Sequence, residues 1–302
     1  MSVTLASGLA FAQAWTLDAA MSFTSDDLPL QRFYHWERVQ PNAIYLTQPC
    51  GQGVIRDYTW AQVGDEARRM AAYLRAQGWE PGARVAIIGK NSAHWVMADL
   101  AIWMAGYVSV PLYPTLTAES VRQVLEHSES RACFIGKLDA WSTMKPGIPE
   151  GLPCIGLPLS PPESGESWEK IVAVTAPVSG SPTREGEELA TIIYTSGTTG
   201  TPKGVMHCFR AFGEAARAGN LRFGARQGDR VLSYLPLSHI AERVAVETVS
   251  MIFGVRVYFA ESLETFADDL RRAGPTFFFS VPRLWVKFQQ GVFASIPPQR
   301  LD

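Results

Sequence analysis

From Tyr58 to Ile135 the sequence switches repeatedly between two periods, and this switching limits the fold more than any other feature. Residues 60–77 carry apolar side chains at helical spacing, Pro81-Gly82 supplies a turn, and Arg84-Val-Ala-Ile-Ile88 is an apolar run of strand length. The pattern then repeats. Asn91-Ser92 offers a cap for a helix through residue 105, Tyr107-Val-Ser-Val110 reads as a strand, 116–127 as a helix and Ala132-Cys-Phe-Ile135 as a strand. Short apolar strands separated by helices are the units of a parallel sheet, so the expected class is α/β, with βαβ sheets sandwiched by helices. Between residues 136 and 187 the alternation lapses, because Pro146, Pro149, Pro153, Pro158, Pro161, Pro162, Pro177 and Pro182 break any long element. That stretch predicts an irregular excursion or a subdomain junction. Alternation returns with strand 189–194, helix 207–218, strand 231–235, helix 241–253, strand 254–259, helix 263–273 and strand 276–280.

Composition narrows the classes of function. A chain of 302 residues with 47% hydrophobic positions can bury a large core. Its 27 Lys and Arg nearly balance 29 Asp and Glu, so it advertises no basic face and nucleic acid is not an implied partner. Cys50, Cys133, Cys154 and Cys208 form no CxxC pair and have no His at ligand spacing beside them, which suits a reducing, cytoplasmic compartment. Residues 1–20 contain no Lys or Arg before their apolar stretch and read as a disordered leader, not a secretory signal; the folded part is expected over 21–302. No apolar run approaches the ~20 residues of a membrane span.

The segment richest in chemistry is Thr191-Ile-Ile-Tyr-Thr-Ser-Gly-Thr-Thr-Gly-Thr-Pro-Lys-Gly-Val205, a β-branched strand that runs into a loop of glycines and hydroxyls closed by a lysine. Such a loop can cradle phosphate. Gly197, Gly200 and Gly204 allow positive φ and close backbone approach, so that N–H groups converge on anionic oxygens. Thr195, Ser196, Thr198 and Thr199 add hydroxyl donors, and Lys203 adds a point charge. It is not a Walker A loop, because Lys203 follows Pro202 and precedes Gly204. His239 and Glu242 have H-x-x-E spacing on one helical face, but no third ligand lies nearby in sequence, and Glu242 and Arg243 are expected to pair or cap locally. His207 and Cys208 are expected to pack on the helix that follows the loop, and Gln227-Gly-Asp229 to form a turn.

Tyr194 to Val205 resembles the nucleotide-binding loop of the adenylate-forming superfamily, which includes acyl-CoA synthetases, luciferases and peptide-synthetase adenylation domains. Gly106-Tyr-Val-Ser-Val-Pro-Leu-Tyr-Pro114 is similar to the family's upstream core strand, and Leu235-Pro-Leu-Ser-His-Ile-Ala-Glu-Arg243 to its next motif, at the acid pocket. The strings Leu237 to Val244 and Phe279 to Phe288 are similar to the long-chain fatty acyl branch. The resemblance implies the amino-terminal domain of the adenylate-forming fold and an ATP-dependent ligase, with fatty acid, ATP and coenzyme A as substrates and Mg²⁺ as cofactor. It assigns Thr195 to the metal and phosphates, Ser196, Gly197, Thr198, Thr199 and Gly200 to the triphosphate cradle, Lys203 to the pyrophosphate, and His239 to the acyl-substrate pocket beside the α-phosphate. On composition alone the aromatics Phe277-Phe-Phe279, Trp285 and Phe288 read as sheet core.

The resemblance also implies segments that these 302 residues do not contain: a Tyr-Gly-x-Thr-Glu run for adenine and metal, a Thr-Gly-Asp run for ribose, and a mobile carboxy-terminal domain. The expectation is therefore a partial ligase with little turnover by itself. The alternatives are a non-catalytic nucleotide- or acyl-binding module and an adenylation enzyme for another acid. Peripheral membrane contact and oligomeric state stay open.

Overall fold

The computed structural model describes residues 23–195 and 202–295; the expected leader lies outside them. In chain order the elements begin with α1 (Pro29–Val39), β1 (Ile44–Pro49), β2 (Ile55–Thr59), α2 (Trp60–Ala76), β3 (Arg84–Ile88), α3 (Ala93–Ala105), β4 (Val108–Leu112), α4 (Ala118–His127) and β5 (Ala132–Ile135). There follow α5 (Trp141–Met144), β6 (Cys154–Gly156), β7 (Glu166–Ser167), α6 (Trp168–Val174), β8 (Leu189–Thr195), β9 (Lys203–Cys208), α7 (Phe209–Phe223) and β10 (Arg230–Ser233). The last are α8 (Ile240–Glu242), a π-helical turn (Arg243–Thr248), α9 (Val249–Phe253), β11 (Arg256–Phe259), α10 (Phe266–Ala273) and α11 (Pro282–Ser295).

The strands form two sheets. A seven-stranded sheet has the order β7-β6-β5-β3-β4-β8-β9, and a four-stranded sheet the order β10-β11-β1-β2. Pairing is parallel except for β9 against β8 and β2 against β1. Helix α3 explains how the sheets join. Ser92 caps it by accepting the Trp95 N–H at 3.1 Å, and Gly106 ends it in the left-handed region at φ +89°. All of its residues are buried, and it packs on β1 of one sheet and on β3 and β4 of the other. A helix without a polar face must be covered on all sides, and here the two sheets and helix α2 cover it.

Four expectations need correction. The Pro-rich stretch is largely irregular, as one of its two readings had it, but is not a junction: β6 and β7 extend the large sheet beyond β5, and Trp168 is fully buried at the start of α6, which packs on α2. Its strands are two and three residues long, short enough to fit between prolines. Residues 207 and 208 end strand β9 and do not begin a helix, because the β-branched run of β8 turns back on itself as a hairpin. The stretch 241–253 is not one α-helix but is interrupted by a π-turn. Finally, 276–280 is not a strand. Thr276 makes a single ladder-like bond to the Arg230 carbonyl at 3.0 Å, after which Phe277 packs toward Phe223 and Phe278 stacks on Tyr234.

The π-turn surrounds a buried ion cluster. Arg243, fully buried, bonds Asp99 of α3 and lies 3.0 Å from a Glu247 oxygen. It also donates to Thr191 of β8 at 3.2 Å and to Ser109 of β4 at 3.4 Å, among the rings of Trp95, Trp103 and Phe212. The Arg243 carbonyl accepts the Thr248 hydroxyl five residues on, at 2.8 Å, a bond that suits the wider π spacing. Two carboxyl groups therefore share one guanidinium. Burial pushes Glu247 up to about 8 and raises Asp99 as well. Asp99 Oδ1 and Glu247 Oε1 have no hydrogen-bond partner, and one proton on either carboxyl would leave the cluster neutral.

Candidate functional site

The stem of the phosphate loop is an antiparallel ladder. Thr195 pairs with Lys203 and Tyr194 with Gly204, so that β8 and β9 hold both ends of the loop at the carboxyl end of β8. Thr195 and Lys203 are exposed there. Ser196, Gly197, Thr198, Thr199 and Gly200 lie outside the described residues. Lys203 does not simply close a loop, as the sequence suggested, but starts a strand, which fixes its Cα opposite Thr195.

Gly204 is needed for space and not for a positive φ. A Cβ at this position would lie 2.7 Å from Ile192 Cγ2 and 3.2 Å from Tyr194 Cζ. Tyr194 is itself pinned by a bond of 2.7 Å between its hydroxyl and His127 Nδ1. Gly204→Val is accordingly expected to cost about 1–3 kcal/mol through overpacking and to displace the Tyr194 ring. Urea denaturation and the Tyr194 ring NMR signals would test this, and an unchanged ring environment would contradict the packing argument.

The second motif forms the turn between β10 and α8. His239 caps α8, with Nδ1 accepting the Ala241 N–H at 3.1 Å, and the side chain is exposed. In the neutral ring this places the proton on Nε2, leaving a donor for an anionic oxygen. Glu242 points the other way. It is fully buried, and Oε1 accepts the Ser233 hydroxyl at 2.8 Å and the Tyr234 N–H at 3.0 Å. His239 and Glu242 are thus not a chelating pair, and among the described residues no group of three or more His, Cys, Asp or Glu could hold a metal. Nor do Glu242 and Arg243 pair with each other: successive helical residues diverge, one toward β10 and one toward α3.

Burial pushes the Glu242 carboxyl up to about 8, with the Ser233 and Tyr234 bonds opposing the shift. The sign follows directly. Below the ordinary Glu range the folded and unfolded chains are both protonated; above it only the unfolded chain ionises, so stability falls as pH rises toward 8. Glu242→Gln keeps an acceptor and cannot ionise. It should gain on the wild type progressively from pH 5 to pH 8, by up to about 4 kcal/mol. Urea midpoints that run parallel across this range would contradict the shift.

Sequence reasoning missed the residues that connect these parts. Asn91, read only as a cap candidate beside Ser92, reaches from the end of β3 into the turn, and His127 anchors Tyr194. A polar residue three positions past the end of an apolar strand of a parallel sheet was the available signal for Asn91, since sites form at carboxyl ends. His127, at the last position of α4, carried no signal. Of the aromatics expected as sheet core, Phe277 and Phe279 meet Phe223 at the end of α7, and Phe278 stacks on Tyr234 beyond β10 and meets Trp285 edge-on; the Phe288 side chain lies outside the described residues. Gln227-Gly-Asp229 is the expected turn, with Gly228 at φ +85°. His207 packs on Phe212, and Cys208 is a free, half-buried thiol.

Comparison with known proteins bears on this arrangement. The family model described as AMP-binding enzyme matches residues 33–299. A peroxisomal long chain acyl-CoA synthetase 6 of Arabidopsis thaliana is 32% identical over 263 residues, covering 81% of this chain and 37% of the relative. The long-chain-fatty-acid–CoA ligase FadD15 of Mycobacterium bovis is 31% identical over 276 residues, covering 87% and 44%. The chain thus spans about two fifths of the length of these relatives. In fold it matches the o-succinylbenzoate coenzyme A synthetase of Bacillus subtilis in complex with AMP, with TM-score 0.71, 24% identity and coverage of 88% and 65%. It also matches a benzoate CoA ligase of Burkholderia xenovorans, with TM-score 0.74, 21% identity and coverage of 85% and 51%. Sequence and fold agree: the chain belongs to the AMP-binding enzyme family, with long-chain acyl-CoA synthetases among its relatives in sequence.

Proposed function

We propose that this chain is the amino-terminal, ATP-binding part of a ligase that activates a long-chain fatty acid as its adenylate and then transfers the acyl group to coenzyme A. The observation that carries the reading is the Thr195–Lys203 stem, with its matching loop string, at the carboxyl end of a parallel strand. In the reaction a fatty-acid carboxylate oxygen attacks the α-phosphorus of ATP and pyrophosphate leaves; the thiol of coenzyme A then displaces AMP from the acyl carbon. The residues here position substrates and absorb charge, and no enzyme nucleophile is required.

Lys203 would bear on the pyrophosphate as charge builds on it. Nε2–H of His239 would donate to the acid carboxylate or to an α-phosphate oxygen. Magnesium fits the donor chemistry: Thr195 offers one hard hydroxyl oxygen, and Mg²⁺ commonly takes few protein oxygens together with substrate phosphates. When bound, Mg²⁺ would neutralise triphosphate charge. Coenzyme A is assigned no residues among those described. Among the described residues no helix is long and apolar enough to cross a membrane. We place the ligase in the cytoplasm, with peripheral contact at a lipid surface as the route to its substrate.

The test is acid-dependent exchange of labelled pyrophosphate into ATP, followed by thioester formation, on the protein as its source cells make it. Fatty acids of graded length would be compared with acetate, benzoate and amino acids. Exchange is expected with long-chain acids. Exchange confined to benzoate or an amino acid would overturn the substrate class, and none with any acid would overturn the ligase reading.

A further inference from the structure

The phosphate-loop stem and His239 belong to different sheets. Thr195 and Lys203 end strands of the seven-stranded sheet, whereas His239 follows β10 of the four-stranded one. Something must set the distance between them, because both would bear on one ATP–carboxylate pair.

Asn91 does this by geometry. It follows β3 of the large sheet, is nearly buried, and spends its amide on a segment more than 140 residues away. Nδ2 donates to Ser233 Oγ at 2.8 Å and to the Leu235 carbonyl at 2.6 Å, while Oδ1 accepts the Leu237 N–H at 2.9 Å. Ser233 passes the polarity on. Its oxygen accepts from Asn91 and donates to Glu242 Oε1, which also takes the Tyr234 N–H. The backbone from Tyr234 to His239 is then held on one side by Asn91, on the other by Glu242, and by its own His239 N–H to Pro236 carbonyl bond at 2.9 Å. Other polar bridges join the sheets at this end, from Ala93 N–H to Gln48 Oε1 and from Lys137 Nζ to the Glu261 carbonyl, but they engage other segments.

We infer that Asn91 is a positioning residue: through Ser233, Leu235, Leu237 and Glu242 it fixes the turn that presents His239 to the substrate carboxylate, and so couples the two halves of the site across the two sheets. An aspartate cannot replace it, since a carboxylate would face the Leu235 carbonyl and donate nothing. Alanine would leave the Leu237 N–H and Leu235 carbonyl without their buried partner. The turn would then shift relative to the phosphate stem, and displacements of about 1 Å in a reacting pair can cost about 100-fold in rate.

The catalytic half of this inference rests on the adenylation reading; the structural half does not, and the experiment separates them. In the protein as its source cells make it, labelled with ¹⁵N-histidine, the neutral His239 ring should be a single Nε2–H tautomer. Asn91→Ala and Asn91→Asp should each show mixed tautomers or exchange broadening. In the protein as its source cells make it, both variants should lose about 100-fold in the maximal rate of acid-dependent pyrophosphate exchange, while affinity for ATP changes less than about threefold. Val63→Ala, a core variant on α2 that also weakens the fold, should keep exchange within about threefold and leave the His239 signals unaltered. An unchanged His239 tautomer in both Asn91 variants would overturn the inference, as would a rate loss no larger than that of Val63→Ala. Mixed tautomers without exchange activity in the wild type would support Asn91 as the anchor of the turn and reject the adenylation reading alone.

Discussion

Arg243→Ala is expected to destabilise the chain by about 3–5 kcal/mol at neutral pH, the cost of removing one member of a buried ion cluster. Asp99 and Glu247 would be left facing each other with no cation, both fully buried. The escape is for both carboxyls to hold protons, and holding them becomes costlier as pH rises above the ordinary carboxylate range. The loss should therefore be smallest near pH 5 and largest near pH 8. A residual, pH-independent part remains, because the guanidinium also lies against Trp95, Trp103 and Phe212. Urea denaturation at the two pH values checks the result; a loss below about 1 kcal/mol, or one equal at both pH values, would show that the cluster does not share its charge as described. Replacing all three groups together, Asp99→Leu with Arg243→Met and Glu247→Leu, should leave the chain folded and about as stable as before, since no unpaired charge then remains.

The second large effect concerns catalysis. Lys203→Ala should leave the fold within about 0.5 kcal/mol of the wild type, because the side chain is exposed at the start of β9. In the protein as its source cells make it, pyrophosphate exchange should fall by about 100- to 1,000-fold, the range for removing one preorganised charge stabiliser. Lys203→Arg should recover only part of this, since a planar fork does not occupy the place of a point charge. Exchange at the wild-type rate in Lys203→Ala would remove the residue from the site, whatever the loop string resembles.

These two residues also mark what could be read before any coordinates. The loop around Lys203 was legible because its chemistry is local: a strand, then glycines, hydroxyls and a lysine within fifteen positions. The β9 strand beyond it was not, since Lys203-Gly-Val-Met-His-Cys208 carries no clear alternation of burial and becomes a strand only by pairing with β8. Arg243 was read as a local partner of Glu242 because the two are adjacent, yet adjacency on a helix sends side chains apart. Asp99, the one acidic residue in an apolar helix, was the available warning, but nothing near it in sequence could serve as its partner.

The sequence by itself determined the α/β class, the helix–strand alternation from residue 60 to 135, and the loop that identifies the family, because apolar periodicity, caps and glycine spacing act over a few residues. Only the tertiary structure decided how two sheets enclose α3, which carboxyl groups neutralise Arg243, and how Asn91 ties the His239 turn to the sheet that carries Lys203. Asp99 and Arg243, like Asn91 and Leu237, lie more than a hundred positions apart, and what selects such contacts is the need to satisfy buried polar groups once the sheets have closed, a condition that no stretch of sequence states locally.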